Sequence, residues 1–284
     1  MPILNLLPIK QALNMGANEL TDSDTPELDS ELILLHALNA HRNILFTDPD
    51  QLLSIEQQKH FIELIARRKR GEPVAYIIGE QGFWDLTLEV SEYTLIPRAD
   101  TESLVDWVLE KNINPKSILD LGTGTGALAL ALAYEFNGAQ VMGLDLIPEA
   151  VALAKRNAQK NRITNAQFIQ SNWFDGLNRE DTFDLIVSNP PYIDKEDHHL
   201  DEGDVRFEPK SALVADENGL SDLKIIADQA RSHLNANGYL VMEHGWQQAK
   251  QVQALLTELG YQNVGSGKDL GNNDRFTFGV FCAE

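Results

Sequence analysis

The stretch "VSNPPYID" at 187–194 sets an amide, two prolines and an aromatic ring directly after an apolar run. Two successive prolines continue neither strand nor helix, and the first holds Asn189 in an extended conformation. The result is a stiff loop at a strand end, with fixed acceptors and one flat face. An –NH₂ group conjugated to a carbonyl or an aromatic ring is a poor nucleophile, because its lone pair is delocalised. Its two N–H bonds can be accepted by the Asn189 side-chain oxygen and the Pro190 carbonyl. Proline rigidity fixes those acceptors in advance, and Tyr192 offers a surface for a planar group. No strong base is required, since the proton becomes acidic only after the nitrogen has gained its new substituent. Asn189, Pro190, Pro191 and Tyr192 are therefore the candidate catalytic residues, a clamp for a planar amino group. The structural alternative is a rigid strand exit that holds nothing.

A second stretch, "LDLGTGTGALAL" at 119–130, has the spacing Asp120-x-Gly122-x-Gly124-x-Gly126. Glycines permit the positive φ of a tight turn and the close approach of a ligand to the backbone. Twenty-five residues after Asp120, Asp145 ends the next predicted strand, where a carboxylate can accept both hydroxyls of a ribose. The dinucleotide pattern G-x-G-x-x-G fits poorly, because the third glycine arrives one residue early. A phosphate-binding P-loop fails, since no G-K-[ST] is present. The form D-x-G-x-G-x-G resembles the first motif of class I S-adenosylmethionine-dependent methyltransferases. A purely structural turn remains the other reading.

The elements that must position these stretches alternate from residue 115 onward. Predicted strands are 117–121, 140–145, 166–170, 183–189, 239–244 and 275–281, with helices between most of them, among them 148–161 and 220–235. That pattern specifies an α/β fold with a doubly wound, mostly parallel sheet, whose ligands bind at the carboxyl ends of the strands. The fourth strand neighbours the first in such a sheet, so the Asn189 loop and the glycine loop share one crevice.

Residues 1–73 read instead as a small helical bundle. Thr25-Pro26-Glu27 starts one helix, with Leu28, Leu32, Leu35 and Leu38 at helical spacing. Ser54 and Gln57 form a capping box for another, whose apolar positions are Ile55, Phe61, Ile62 and Ile65 and which Gly71 and Pro73 stop. Residues 74–97, rich in β-branched and aromatic residues, read as a hairpin linker. A further helix begins at Asp100, and residues 98–284 form the catalytic domain.

Composition narrows the partners. The 284 residues carry 43 acids against 23 bases, a formal net charge of −20, whereas a protein that grips nucleic-acid phosphates shows a basic patch or stripe. The one compact basic cluster, "RRKR" at 67–70, fits the dipole at a helix end. No apolar run of about 18 residues is present to span a membrane, and the start "MPILNLLPIKQ" is a poor signal peptide. The single cysteine, Cys282, permits no internal disulfide and fits a reducing cytoplasm. The expected protein is a cytoplasmic monomer with no direct nucleic-acid or membrane contact.

With the glycine motif, "NPPY" is similar to the motif of amino-group methyltransferases acting on adenine N6, guanine N2 or protein glutamine N5. The runs "TLIPRADTE" (94–102), "ILDLGTGTGALALALA" (118–133), "IVSNPPYID" (186–194), "GDVRFEP" (203–209) and "EHGWQQ" (243–248) resemble one of these, the release factor glutamine methyltransferase (PrmC/HemK) family. The resemblance covers essentially the whole chain, including the helical bundle and hairpin linker. It implies a seven-stranded Rossmann-like sheet and methyl transfer from S-adenosyl-L-methionine to the side-chain amide of glutamine in the Gly-Gly-Gln motif of class-one peptide chain release factors. By that resemblance Gly122, Thr123, Gly124, Thr125 and Gly126 wrap the methyl donor, Asp145 takes its ribose, Trp173 lies by its adenine and Asn189 borders it. Asn189 to Tyr192 hold the glutamine, and no metal is implied. Two positions depart from the family pattern: Ala99 stands where proline is usual, and Asn172 where an acid is common.

Other signals are weaker. "DKEDHHLDEGDVRFE" at 194–208 holds seven acids, two bases and the neighbours His198 and His199, without a convincing metal-ligand spacing. Its acids are expected to face a basic substrate protein. Phe83 and Trp84 read as hairpin core. Two rival functions stand beside the glutamine reading: a methyltransferase for nucleic-acid bases, which needs a basic groove, and a cofactor-binding protein without activity.

Overall fold

The computed structural model describes residues 5–201 and 203–282, with backbone alone for His199 and Asp201. The chain divides into two compact units, one formed by Met1–Gly79 with Asp201–Phe207 and the other by Glu80–Leu200 with Glu208–Glu284.

The smaller unit is helical, with its principal helices at Ile9–Glu19, Pro26–Leu38 and Ile55–Lys69. Ile9, Ile33, Leu34, Phe61 and Leu64 are among its buried core. The predicted capping box is present: Ser54 Oγ accepts from the Gln57 N–H at 3.1 Å, and Gln57 Oε1 accepts from the Ser54 N–H at 3.0 Å. The helix after Thr25 forms, but it buries a different face from the leucine spacing. Leu28 and Leu32 are exposed, whereas Asp29, Ser30, Ile33 and Leu34 are buried. Asp29 is tolerated there because Arg68 donates to it at 2.7 Å, and the Thr25 hydroxyl bonds Asp29 rather than capping the helix. "RRKR" indeed closes a helix, and three of its cations are paired: Arg67 with Glu72, Arg68 with Asp29 and Asp204, Lys69 with Glu19.

Residues 74–78 are not part of the hairpin. They form a short helix, Val74–Ile78, which Gly79 ends in the left-handed conformation at φ 79°. The hairpin itself is β1 (Glu80–Phe83) with β2 (Leu86–Glu89), and it opens the larger unit. Residues 90–98 carry no strand.

The main sheet of the larger unit has seven strands: β3 (Ser117–Leu121), β4 (Gln140–Asp145), β5 (Ala166–Gln170), β6 (Phe183–Ser188), β7 (Leu234–Glu243), β8 (Gln262–Lys268) and β9 (Asp274–Phe281). Their order is β5-β4-β3-β6-β7-β9-β8, parallel except for β9. Helices cover both faces, giving one core that includes Leu104, Leu128, Leu130 and Val151 and another that includes Ile186, Leu223, Ile226 and Val252. This is the doubly wound α/β fold of a class I methyltransferase. β8 escaped the strand reading because "QNVGSGK" has no apolar run. As an edge strand it spends Gly265 and Gly267 on the rings of Phe278 and Phe276, where an added Cβ would lie 2.8 and 2.0 Å from ring carbons. β7 starts earlier than the apolar run suggests, and the helix before it ends at Ala230 rather than at 235.

Candidate active site

Between β3 and helix Ala127–Glu135 the chain turns on Gly122, Gly124 and Gly126, at φ 69°, 55° and 86°. L side chains rarely adopt these values. Gly126 also packs tightly, since a Cβ there would lie 3.1 Å from Leu130 and 3.2 Å from Ala154. Asp120 lies beneath the loop, fully buried. Its Oδ2 accepts from the Thr123 hydroxyl at 2.6 Å and the Ala129 N–H at 3.2 Å. Burial outweighs those bonds and pushes its carboxyl up to about 7. Asp145, at the end of β4, accepts the Gly124 N–H at 2.8 Å on one oxygen and the Ile147 N–H at 2.9 Å on the other. Each oxygen keeps a second lone pair for a ligand hydroxyl. Burial raises the Asp145 carboxyl above its ordinary range.

Sequence reasoning missed Asn157, on helix Pro148–Lys160. Its side chain is wholly buried; it accepts the Glu89 N–H at 2.7 Å and donates to the carbonyls of Glu89 and Thr125 at 3.0 and 2.9 Å. It thereby fastens the glycine loop to the hairpin.

The parallel register pairs Leu121 with Ser188, and the Ser188 hydroxyl donates to the Leu121 carbonyl at 2.8 Å. The next residues, Gly122 and Asn189, therefore leave neighbouring strand ends at the switch point of the sheet. A cavity of about 290 Å³ opens there, wholly within the larger unit. Its wall brings together Gly122, Thr123, Gly124, Thr125, Asp145, Trp173, Asn189 and Pro191. Gly126, Pro190 and Tyr192 do not line it. Trp173 has φ 45°, and its ring faces Gly122, 3.5 Å from the place of an absent Cβ. Asn172 also lines the cavity and donates to Asp175 at 3.1 Å.

Behind the clamp lies a group of residues the sequence left unread. Asn189 Nδ2 donates to Thr101 Oγ1 at 3.3 Å, which turns its own carbonyl oxygen the other way. The Tyr192 hydroxyl donates to Glu243 Oε1 at 3.2 Å. Glu243, the last residue of β7, is 1% exposed, and burial pushes its carboxyl up to about 7 against the opposing effects of Thr101 and Arg275. Burial likewise raises Tyr192. Phe83 serves two roles, buried in the hairpin core and lining the cavity; Trp84 packs against that core and donates from its ring to Glu135 at 2.6 Å.

Arg98 and the fully buried Glu208 form an ion pair at 2.5 Å. It ties the start of helix Ala99–Glu110 to the segment carrying Ser211 and Ala212 in the cavity wall. Ala99 is the first residue of that helix, where alanine serves as well as the proline usual in the family pattern. Among the described residues no cluster of His, Cys, Asp and Glu could hold a metal ion, and no helix is long and apolar enough to cross a membrane.

A methyltransferase domain model matches residues 114–274, and a PrmC N-terminal domain model matches residues 11–79. The release factor glutamine methyltransferase of Shewanella oneidensis is 49% identical over 273 residues, 95% of each chain. That of Aliivibrio fischeri is 49% identical over 281 residues, 98% of this chain and 99% of its own. The chain belongs to the release factor glutamine methyltransferase family. It is an enzyme of the S-adenosylmethionine-dependent methyltransferase class. A methyltransferase from Pyrococcus furiosus shares its fold, with a TM-score of 0.54 at 19% identity over 77% of this chain and 98% of that one. The methyltransferase match begins just before β3 and runs into β9, so it takes in both the glycine loop and the clamp.

Proposed function

We propose that this family member transfers a methyl group from S-adenosylmethionine to the side-chain amide nitrogen, N5, of the glutamine in the Gly-Gly-Gln motif of class-one release factors. The observation that carries this reading is the register of β3 against β6, which brings Asn189 into the wall of the same cavity as the glycine loop.

The donor fits the residues present. A ribose diol needs two acceptors, and Asp145 has spare lone pairs on both oxygens. An adenine needs an apolar face, which Trp173 supplies. The glycine loop offers backbone to a ligand where side chains would fill the space. When bound, S-adenosylmethionine supplies an electrophilic methyl on a positively charged sulfur.

The chain's own residues act on the acceptor. The Asn189 oxygen, in the cavity wall, takes one amide N–H bond and the Pro190 carbonyl, from the backbone between the wall residues Asn189 and Pro191, takes the other, turning the nitrogen lone pair toward the donor pocket. The prolines keep those acceptors from relaxing, and they retain the proton-bearing nitrogen until its proton, made acidic by methylation, leaves to water. The Tyr192 hydroxyl is engaged with Glu243, so this residue serves the clamp from behind rather than as an open platform.

We place the enzyme in the cytoplasm as a monomer with a protein acceptor. An acceptor base in nucleic acid calls for free cations, and the paired state of Arg67, Arg68 and Lys69 supports the protein instead. The test uses labelled S-adenosylmethionine with three acceptors: an unmodified release factor, the same factor with the Gly-Gly-Gln glutamine changed to alanine, and ribosomal RNA. Label on the first alone is expected; label on the RNA alone would replace this reading by the base methyltransferase.

A further inference from the structure

Glu243 is a buried acid that the transfer chemistry does not use. One oxygen accepts the Tyr192 hydroxyl at 3.2 Å. The other, Oε2, is buried and accepts no hydrogen bond. The Thr101 hydroxyl faces the same carboxyl, and Thr101 is itself buried. An unsatisfied buried acceptor is destabilising, so a neutral apolar or amide residue would serve packing alone better.

The polarity of the group gives the acid a purpose. Once ionised, above about pH 7, the carboxyl only accepts, so the Thr101 hydroxyl beside it turns its proton that way. The Thr101 oxygen then presents lone pairs, and the Asn189 –NH₂ donates to them at 3.3 Å. With its –NH₂ so engaged, the Asn189 amide can present only its carbonyl oxygen on the opposite side. An acceptor is what an incoming N–H requires.

We propose that Glu243 is a positioning residue that sets, through Thr101, which end of the Asn189 amide meets the substrate. The proposal rests on the amide-clamp reading above. Glu243→Gln keeps the shape and inverts the logic. Its amide oxygen must serve the Tyr192 hydroxyl, so its –NH₂ is left facing Thr101. The Thr101 proton is then turned to Asn189, whose amide rotates and offers a donor where an acceptor is needed.

The test compares Glu243→Gln, Thr101→Val, Thr101→Ser and the Glu243→Gln/Thr101→Val double variant with the wild-type chain, using a release factor as acceptor. At pH 8, where the carboxyl is ionised, Glu243→Gln is expected to lower kcat at least tenfold, to leave the S-adenosylmethionine dissociation constant within threefold, and to melt no lower than wild type. Thr101→Val is expected to lose a similar factor and Thr101→Ser to retain at least half of the rate. The double variant is expected to be no slower than the slower single one, because both break one chain of polarity. A normal kcat in Glu243→Gln or in Thr101→Val would overturn the proposal. So would multiplicative losses in the double variant, or a rate loss that only tracks lost folding. Were Glu243→Gln not to fold, the Thr101 pair decides by itself. Failure of the wild-type chain to label any release factor would instead overturn the clamp reading on which the proposal stands.

Discussion

Each half of the cavity rests on a buried carboxyl, and the two are satisfied in different ways. Under the glycine loop, Asp120 receives its bonds from residues three and nine positions along the chain. Under the clamp, Glu243 receives Tyr192 from 51 positions away, and Asn189 reaches Thr101 across 88. The turn of the donor half is therefore a local object, whose glycines, Asp120 and Thr123 fold one another, with Asp145 and Asn157 joining it from 21 and 32 positions away. The acceptor half is assembled by the sheet, from ends of β6 and β7 and one helix. A local object can bind its ligand with modest help, whereas an assembled one depends on register and polarity over long range.

The sharpest way to test that contrast is to remove one group from each half. Asn189→Ala takes the preorganised acceptor from the assembled half, an interaction of about 3 kcal/mol. Turnover is expected to fall by two decades or more, with S-adenosylmethionine affinity, measured by calorimetry, held within about tenfold. Near-normal turnover would mean that the clamp is assigned to the wrong residues. Asp145→Ala acts on the local half and should give the reverse profile. It leaves the Gly124 and Ile147 N–H groups without their acceptor and removes the proposed ribose partner, about 1–3 kcal/mol in all. Donor affinity is expected to drop by tenfold to a hundredfold, with kcat at saturating donor falling far less. Equal losses in kcat from both variants would erase the distinction between the halves.

The same contrast explains what the amino-acid sequence discloses. The glycine turn, the strand alternation and the capping box at Ser54 were legible, because each is decided within a few residues, and Asp145 was legible as the end of its strand. Asn189 to Tyr192 stood out as a motif, yet the motif could not tell that Tyr192 turns its hydroxyl to Glu243 and leaves the cavity wall to Pro191. Thr101, Asn157 and Glu243 were silent, since a lone polar residue in an apolar helix or strand declares no partner. The helix after Thr25 misled for a related reason: Arg68 makes it possible to bury Asp29 and to leave Leu28 and Leu32 in solvent. β8 was illegible because its packing surface is borrowed from Phe276 and Phe278 on its neighbour.

The smallest expected effect concerns the cost of the local half. Asp120 has an ordinary value of 3.8 and a folded value of about 7, set by burial. Between those values the folded chain holds a proton that the unfolded chain has released. Folding stability from this group is therefore full below about pH 4, declines as pH rises toward 7, and is constant above. Asp120→Asn keeps an oxygen for the Thr123 hydroxyl and the Ala129 N–H but carries no charge. Its melting temperature relative to wild type is expected to rise from pH 5 to about pH 7 and to level off by pH 8, by an amount worth roughly 1–2 kcal/mol. Differencing the two proteins cancels the titrating groups that do not interact with Asp120, Glu243 included; Asp145, which does, adds a smaller change of its own. A difference that is flat with pH would mean that Asp120 is already ionised in the folded chain at pH 5. The Thr123 and Ala129 bonds would then outweigh its burial, and the glycine loop would rest on a charge rather than on a shared proton.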